Sequence, residues 1–406
     1  MSASRSTKLR TRVVHAGRHP ADNHGVVNPP VYHASTILKP TMADRAAGQS
    51  APPHSYRDGR MPTPTYGRSG TPTTYAFEEA VTLLYDADDV VAVPSGLAAI
   101  TVGLLAVLKA GDHLLMTDTA YFPTRKFCDQ VLADYGIETT YYDPRIGGAI
   151  ATLIRDNTRV VYTESPGSLT FEIQDIPAIA EAAHARDAAV MMDNTWGTPL
   201  YCRPFALGVD IVNEAVTKYI GGHSDLMMGV IASTERYAGA VRSTARLHGH
   251  YVAPDELYLA QRGLRTLSVR LKQNEETGIA MARWLEARPE VAAVLHPALE
   301  SHPDHALWKR DFSGASGLFS IVLKPLPEVA YAAFVDGLEL FGMGASWGGF
   351  ESLVKPGNPG AERTATPWPY EGPLIRFHAG LEDIDDLIAD LEAGFDRLNA
   401  ITKAAA

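Results

Sequence analysis

Cysteine is nearly absent: Cys128 and Cys202 are the only two among 406 residues. Two cannot form a disulfide framework, so stability must come from a buried core. A surplus of positive charge is also lacking. Thirty-six Lys and Arg stand against 47 Asp and Glu, a net charge of −11. That disfavours nucleic acid or an anionic membrane as the main partner, while leaving room for a local anion site. No apolar stretch is continuous enough to span a bilayer. The longest uncharged one, Val90 to Leu108, is interrupted by Pro94-Ser95-Gly96 and reads as strand, tight turn and helix. The opening MSASRSTKLRTRVVHAG carries basic residues but no apolar segment, so a cytoplasmic protein is expected. Neither GxGxxG nor a GxxxxGK motif followed by Ser or Thr occurs, which removes the dinucleotide and nucleoside-triphosphate fingerprints.

What is present is ordinary globular material. The hydrophobic fraction is 46%, and a chain of 406 residues suggests two or three domains at about 150 residues each. Residues 1 to about 75 are rich in Pro, Gly, Thr, Ser and His, without a sustained helical period. An irregular segment of that length is usually functional or wraps a neighbour. Beyond it, strands are predicted at Val90–Val93, His113–Met116, Arg159–Thr163 and Ala189–Met192, with helices over Leu97–Lys109 and Ile176–Ala185. Alternation of this kind implies βαβ units and a parallel sheet covered on both faces. After Pro254 the pattern becomes a long helix, Leu257 to Leu285. A strand follows at Gly317–Leu323, a helix at Tyr331–Phe341, a strand at Leu374–Phe377 and a last helix with Asp383 as N-cap. The expected organisation is an extended segment at 1–60, an α/β domain at 61–255 and a smaller α+β domain at 256–406.

An α/β sheet presents its ligand site at the carboxyl ends of its strands, so the residues following each strand carry the functional signal. Ser95-Gly96-Leu97 after the first strand is a turn opening a helix, suited to a phosphate but equally an ordinary βα turn. Asp193 ends a buried strand, where a carboxylate either caps the next element or holds a cationic group. Lys218 lies between Ala215-Val216 and Tyr219-Ile220. Desolvation there would lower its pKa and free an amine able to attack carbonyls, whereas base rates favour a snorkelling surface lysine.

Taken together, this order resembles the fold-type I enzymes that use pyridoxal 5′-phosphate, and within them the Cys/Met-metabolism family, from Thr11 to about Ile401. Thr217-Lys218-Tyr219-x-x-Gly222-His223-Ser224-Asp225 is the strongest match, with Lys218 at the position of the lysine that bonds the cofactor. By the same resemblance Asp193 faces the pyridinium nitrogen. Gly96 and Leu97 align with the phosphate-binding turn, Thr217 is a further cofactor-binding residue, and Tyr66 and Arg68 reach the phosphate of a neighbouring subunit. Four segments look like the bacterial cystathionine β-lyase branch: Ala120–Thr124, whose Tyr121 stacks on the cofactor ring, Glu164–Thr170, Ser346–Leu353 and Leu374–Asp383. Arg376 aligns with the clamp for the substrate α-carboxylate, and Ser346 and Trp347 line the substrate pocket. The implied activity is α,β-elimination from cystathionine or related S-substituted cysteines. A γ-acting member and a non-catalytic regulator binding the cofactor are the alternatives, and a homotetramer is the implied assembly. Ala215 and Ala345 depart from the family pattern, one removing a hydroxyl near the phosphate and the other widening the pocket. No metal is expected. His248-Gly-His250 and His302-Pro-Asp-His305 read as surface or loop histidines, Cys128 and Cys202 as buried cysteines, and the acidic run Glu382–Asp386 as a helix start without a ligand.

Overall fold

Side chains alternate across a strand, and here the alternation feeds two separate cores. The computed structural model describes residues 6–49, 56 and 61–405; parts of the expected N-terminal wrapping segment lie outside them. Seven strands, β1 (Asp89–Val93), β2 (His113–Thr117), β3 (Glu138–Tyr142), β4 (Thr158–Glu164), β5 (Ala189–Asp193), β6 (Ile211–Ala215) and β7 (Gly229–Ser233), form one sheet in the order β1-β7-β6-β5-β4-β2-β3. All run parallel except β7, which is antiparallel to both neighbours. On one face Leu114, Met116, Val160, Tyr162, Ala189, Met191 and Ile211 pack with Ile100 and Leu104 of the helix Gly96–Val107. On the other, Leu115, Val161, Val190, Met192 and Val212 meet Phe77 and Leu84 of the helix Pro72–Tyr85, together with Ile179 of the helix Ile176–His184. Each such buried branched or aromatic side chain contributes about 1.5–3 kcal/mol over its exposed state.

A 33-residue helix, Pro254–Glu286, then packs against both halves of the molecule. Beyond it, β8 (Val291–Leu295), β9 (Leu318–Leu323), β10 (Gly342–Met343), β11 (Leu353–Gly357) and β12 (Leu374–His378) form a second sheet in the order β10-β11-β12-β9-β8. Its Phe319, Ile321, Val354, Ile375 and Phe377 pack with Leu387, Leu391 and Phe395 of the helix Ile384–Ala405. The opposite face sends Leu318, Val322 and Leu374 into the large core. Arg376 and its register partners Ser320 and Lys355 lie on that same face, turned toward the first sheet.

Several expectations need adjustment. The first 75 residues are not wholly irregular: they contain helices at Leu9–His15 and Met42–Gln49, and the helix from Pro72 begins with a Thr71 capping box. The helix predicted over Tyr331–Phe341 runs Glu328–Asp336 and stops at Gly337, where an added Cβ would lie 2.4 Å from the Arg397 side chain. The boundary expected between 255 and 256 falls inside the first turn of Pro254–Glu286.

Candidate active site

Parallel strands bring their carboxyl ends to one edge, and β2, β4, β5 and β6 deliver Asp118–Tyr121, Glu164, Asp193 and Ala215–Lys218 there. From β1 the chain enters Pro94-Ser95 and the helix Gly96–Val107. Ser95 caps that helix, its Oγ accepting from the Ala98 amide at 3.0 Å. The amides of Gly96 and Leu97 are in the first turn, where a helix offers no carbonyl partner and its dipole favours an anion. An added Cβ on Gly96 would lie 2.6 Å from Ala215 Cβ, so glycine is required for β6 to approach this closely.

Asp193 is fixed by two donors: the Thr195 amide to Oδ1 at 2.9 Å and Asn213 Nδ2 to Oδ2 at 2.7 Å. Burial raises its pKa, while these bonds and the charge of Lys218 pull it back down. Glu164 stands directly across from Asp193 in the β4–β5 register. It accepts from the Tyr121 amide at 2.7 Å, and burial together with the Asp193 charge pushes its pKa well above the ordinary carboxyl range. Of the two neighbouring carboxyls, Glu164 is pushed further toward its neutral form than Asp193, which the bonds from Thr195 and Asn213 and the charge of Lys218 hold back. Tyr121 is 46% exposed; burial of its ring, with Glu164 and Asp193 nearby, raises its pKa and keeps it a neutral phenol.

Lys218 Nζ donates to Ser346 Oγ at 2.7 Å and sits 5.5 Å from the centroid of the Trp347 ring. Burial, then the Arg376 charge, lowers its pKa to about 8, so it is not the snorkelling surface lysine. The backbone around it is held from two directions. Arg270 of the long helix donates to Tyr219 O at 2.7 Å and Ile220 O at 3.3 Å. From the small sheet's side, Gly348 adopts φ +81°, and a Cβ there would lie 2.9 Å from both Lys218 C and Tyr219 N. Arg376 is 8% exposed and donates through Nη2 to Ala345 O and Ser346 O, both at 3.0 Å. No carboxylate of the described residues pairs with it, and burial lowers its pKa to about 10. It is a desolvated cation waiting for an anion.

The structure thus brings Gly96, Leu97, Tyr121, Asp193, Lys218, Ser346, Trp347 and Arg376 to one cleft. Thr217 is adjacent, but its hydroxyl donates to Met228 O at 3.1 Å and accepts the Met228 amide at 3.0 Å. Tyr66 and Arg68 are not part of this cluster. Both are exposed, and Arg68 donates to Arg246 O at 2.8 Å beside a small cavity lined by Glu78, Arg242 and His250. Two readings are sharpened. Of the surface or loop readings, His302 takes the loop one: it is buried in the turn before the helix His305–Asp311, its Nδ1 accepting the Asp304 amide at 3.1 Å. Glu382 does more than begin a helix: it accepts from Ser352 N at 2.6 Å and Ser352 Oγ at 2.8 Å, tethering the Ser346–Ser352 segment. Sequence reasoning gave no role to Asn213 or Glu164. Their signal was present as polar residues inside apolar strands, but which groups they face depends on strand register.

These residues suit a phosphorylated pyridine aldehyde. A partly deprotonated amine lies near a charged carboxylate at the sheet edge, and a glycine turn with free amides opens beside them. The polar atom Asn213 Oδ1 is buried without a partner next to that carboxylate. Residues 10–396 match the family of Cys/Met metabolism PLP-dependent enzymes. A putative cystathionine beta-lyase of Rhizobium johnstonii is 48% identical, the match covering 97% of each chain. Cystathionine beta-lyase MetC of Escherichia coli is 42% identical over 96% of this chain and 99% of its own. The crystal structure of metB from Corynebacterium glutamicum superposes with a TM-score of 0.87 at 30% identity, covering 97% of this chain and 99% of the other. With fold, cleft and relatives in agreement, this chain belongs to the Cys/Met metabolism PLP-dependent enzymes.

Proposed function

We propose that this enzyme is a carbon–sulfur lyase that eliminates the β-substituent of cystathionine or related S-substituted cysteines, giving a thiol, pyruvate and ammonia. The observation that carries the reading is Lys218: an amine with pKa lowered to about 8, hydrogen-bonded to Ser346 beside the buried, unpaired Arg376. Lys218 would hold the cofactor covalently, Asp193 would face its ring nitrogen and Tyr121 its ring. The Gly96–Leu97 turn would take its phosphate, while Thr217, bonded to Met228 through both hydroxyl and amide, would adjoin it. Pyridoxal phosphate, when bound, supplies an electron sink for charge developing at the substrate Cα.

The remaining work belongs to the chain. Arg376 has already committed Nη2 to two carbonyls, so Nε and Nη1 stay available to grip the substrate α-carboxylate and fix the direction of the Cα–H bond. Lys218, as a free amine, takes the Cα proton; a pKa of about 8 is close enough to neutrality for both removal and return of a proton. Asp193, oriented by Thr195 and Asn213, would hold the positive charge of the ring nitrogen opposite it. A thiolate then leaves, aided by a thiol pKa of about 8.5.

The reading includes a homotetramer in the cytoplasm, with Tyr66 and Arg68 serving the phosphate of a neighbouring subunit. It is supported by exposed Val26, Val27, Tyr32, Leu38 and Met42 in the N-terminal segment and by the absence, among the described residues, of a helix long and apolar enough to cross a membrane. Product analysis tests the activity. Cystathionine should yield pyruvate and homocysteine with wild-type enzyme and nothing above background with Lys218→Ala. Formation of 2-oxobutyrate instead would transfer the enzyme to γ-chemistry, and unchanged turnover by the lysine variant would refute the assignment.

A further inference from the structure

Arg376 has a second cation directly across from it. Lys355 on β11 is its register partner in the antiparallel β11–β12 pair, and the two side chains share the face turned toward the cleft. Val354 points the other way into the small-domain core. Gly357, two residues beyond Lys355 and on its face, lies close to Leu169 in the loop after β4: a Cβ added there would sit 3.4 Å from that side chain. Like charges directly opposite each other across strands are unfavourable. Lys355 is nonetheless half-buried and makes no hydrogen bond or ion pair within the described chain.

Glu362 complements it. This carboxylate is also half-buried and has no hydrogen-bond or ion-pair partner among the described residues. Its position is firmly set, because the residues following it are fastened to the large domain. Asp118, three residues before Tyr121, accepts the amides of Thr364, Ala365 and Thr366 at 2.9, 3.0 and 2.8 Å. Arg363 pairs with Glu172 and donates to Thr170 at 2.8 Å. Glu362 is thereby held near Lys355 and Arg125, both of which draw its raised pKa back down, while burial and Arg376 lower that of Lys355.

The face beside Arg376 thus carries two cations and one anion, none of them in a salt bridge among the described residues, with Lys355 and Glu362 within electrostatic reach of each other. A substrate bearing one α-carboxylate needs only Arg376. We propose that Lys355 and Glu362 determine specificity by reading the far end of the substrate, Lys355 taking a distal carboxylate and Glu362 a distal ammonium. The substrate class is then a cysteine whose sulfur substituent itself ends in an amino acid, a thioether or a disulfide with a zwitterionic tail. Its three outer charges are opposite in sign to the three the protein leaves open. A short S-alkylcysteine would leave Lys355 and Glu362 unpaired and gain nothing from them.

This inference rests on the lyase reading, and the experiment separates the two. Pyruvate release is measured for cystathionine and for S-ethylcysteine with wild type, Lys355→Met and Glu362→Gln, all loaded with cofactor. Each variant should lower the ratio of kcat/KM for cystathionine over S-ethylcysteine about tenfold, the size of one lost charge-assisted contact. Because the ratio is taken within one preparation, partial misfolding cancels. Parallel loss on both substrates would show that Lys355 and Glu362 act only on the shared amino-acid end and would overturn the proposal, as would an unchanged ratio. No pyruvate from either substrate with the wild type would refute the lyase reading beneath it.

Discussion

The two walls of the cleft are built on different terms. On the wall formed by the first sheet, the two site carboxyls find partners within the protein: Asp193 with Thr195 and Asn213, Glu164 with the Tyr121 amide. On the side of the second sheet, Arg376 bonds only to backbone carbonyls among the described residues, while the side chains of Lys355 and Glu362 make no hydrogen bond or salt bridge there. A group satisfied by its own chain keeps one geometry whatever enters, which suits a resident cofactor. A buried charge left unpaired lowers its energy only when a ligand supplies the counter-charge, which suits a substrate that comes and goes. Changes on the first wall should therefore act on every substrate alike, and changes on the second should act through binding.

Asp193→Asn gives the largest expected effect. It preserves shape and removes a buried charge, so kcat should fall about 10^2–10^3-fold, equally for all substrates, with the cofactor still retained. A loss differing strongly between substrates would break the contrast. Arg376→Lys comes next. The planar fork is exchanged for a point charge, and kcat/KM should fall about 30–100-fold, mainly through KM, which steady-state kinetics would separate from kcat. A pure kcat effect would place Arg376 on the other side of the comparison. The smallest effect is in pH. With a Lys218 pKa of about 8, the free amine is about a tenth of the apoprotein at pH 7 and about nine-tenths at pH 9. Reconstitution with pyridoxal phosphate, followed by its visible band, should speed up about tenfold across that interval and then level off. A flat profile would mean the lysine is not desolvated.

The sequence made the first wall more legible than the second. Strand-end positions announced Asp193 and Lys218, because a short apolar run followed by a polar residue is a local pattern. Asn213 and Glu164 were visible as polar interruptions, yet their partners depend on which strands are neighbours, and β6 pairs with β5 across an intervening segment. Lys355 escaped notice for the same reason: its meaning lies in facing Arg376, 21 positions away in the chain and directly opposite in the sheet. Antiparallel β7, inserted between β1 and β6, has no local signature at all. The overrun of the Tyr331–Phe341 helix is different in kind, since Gly337 was a readable stop signal outweighed by the apolar residues beyond it.

Gly348 also bears on any effort to redesign this enzyme. Its bare Cα lies against the peptide of the lysine, in a conformation that side chains rarely tolerate. A library that randomised the whole turn from Ala345 to Gly349 would lose most of its members to a displaced amine rather than to altered selectivity. Ala345, which contributes only a carbonyl to Arg376, is the position in that turn where diversity can be introduced.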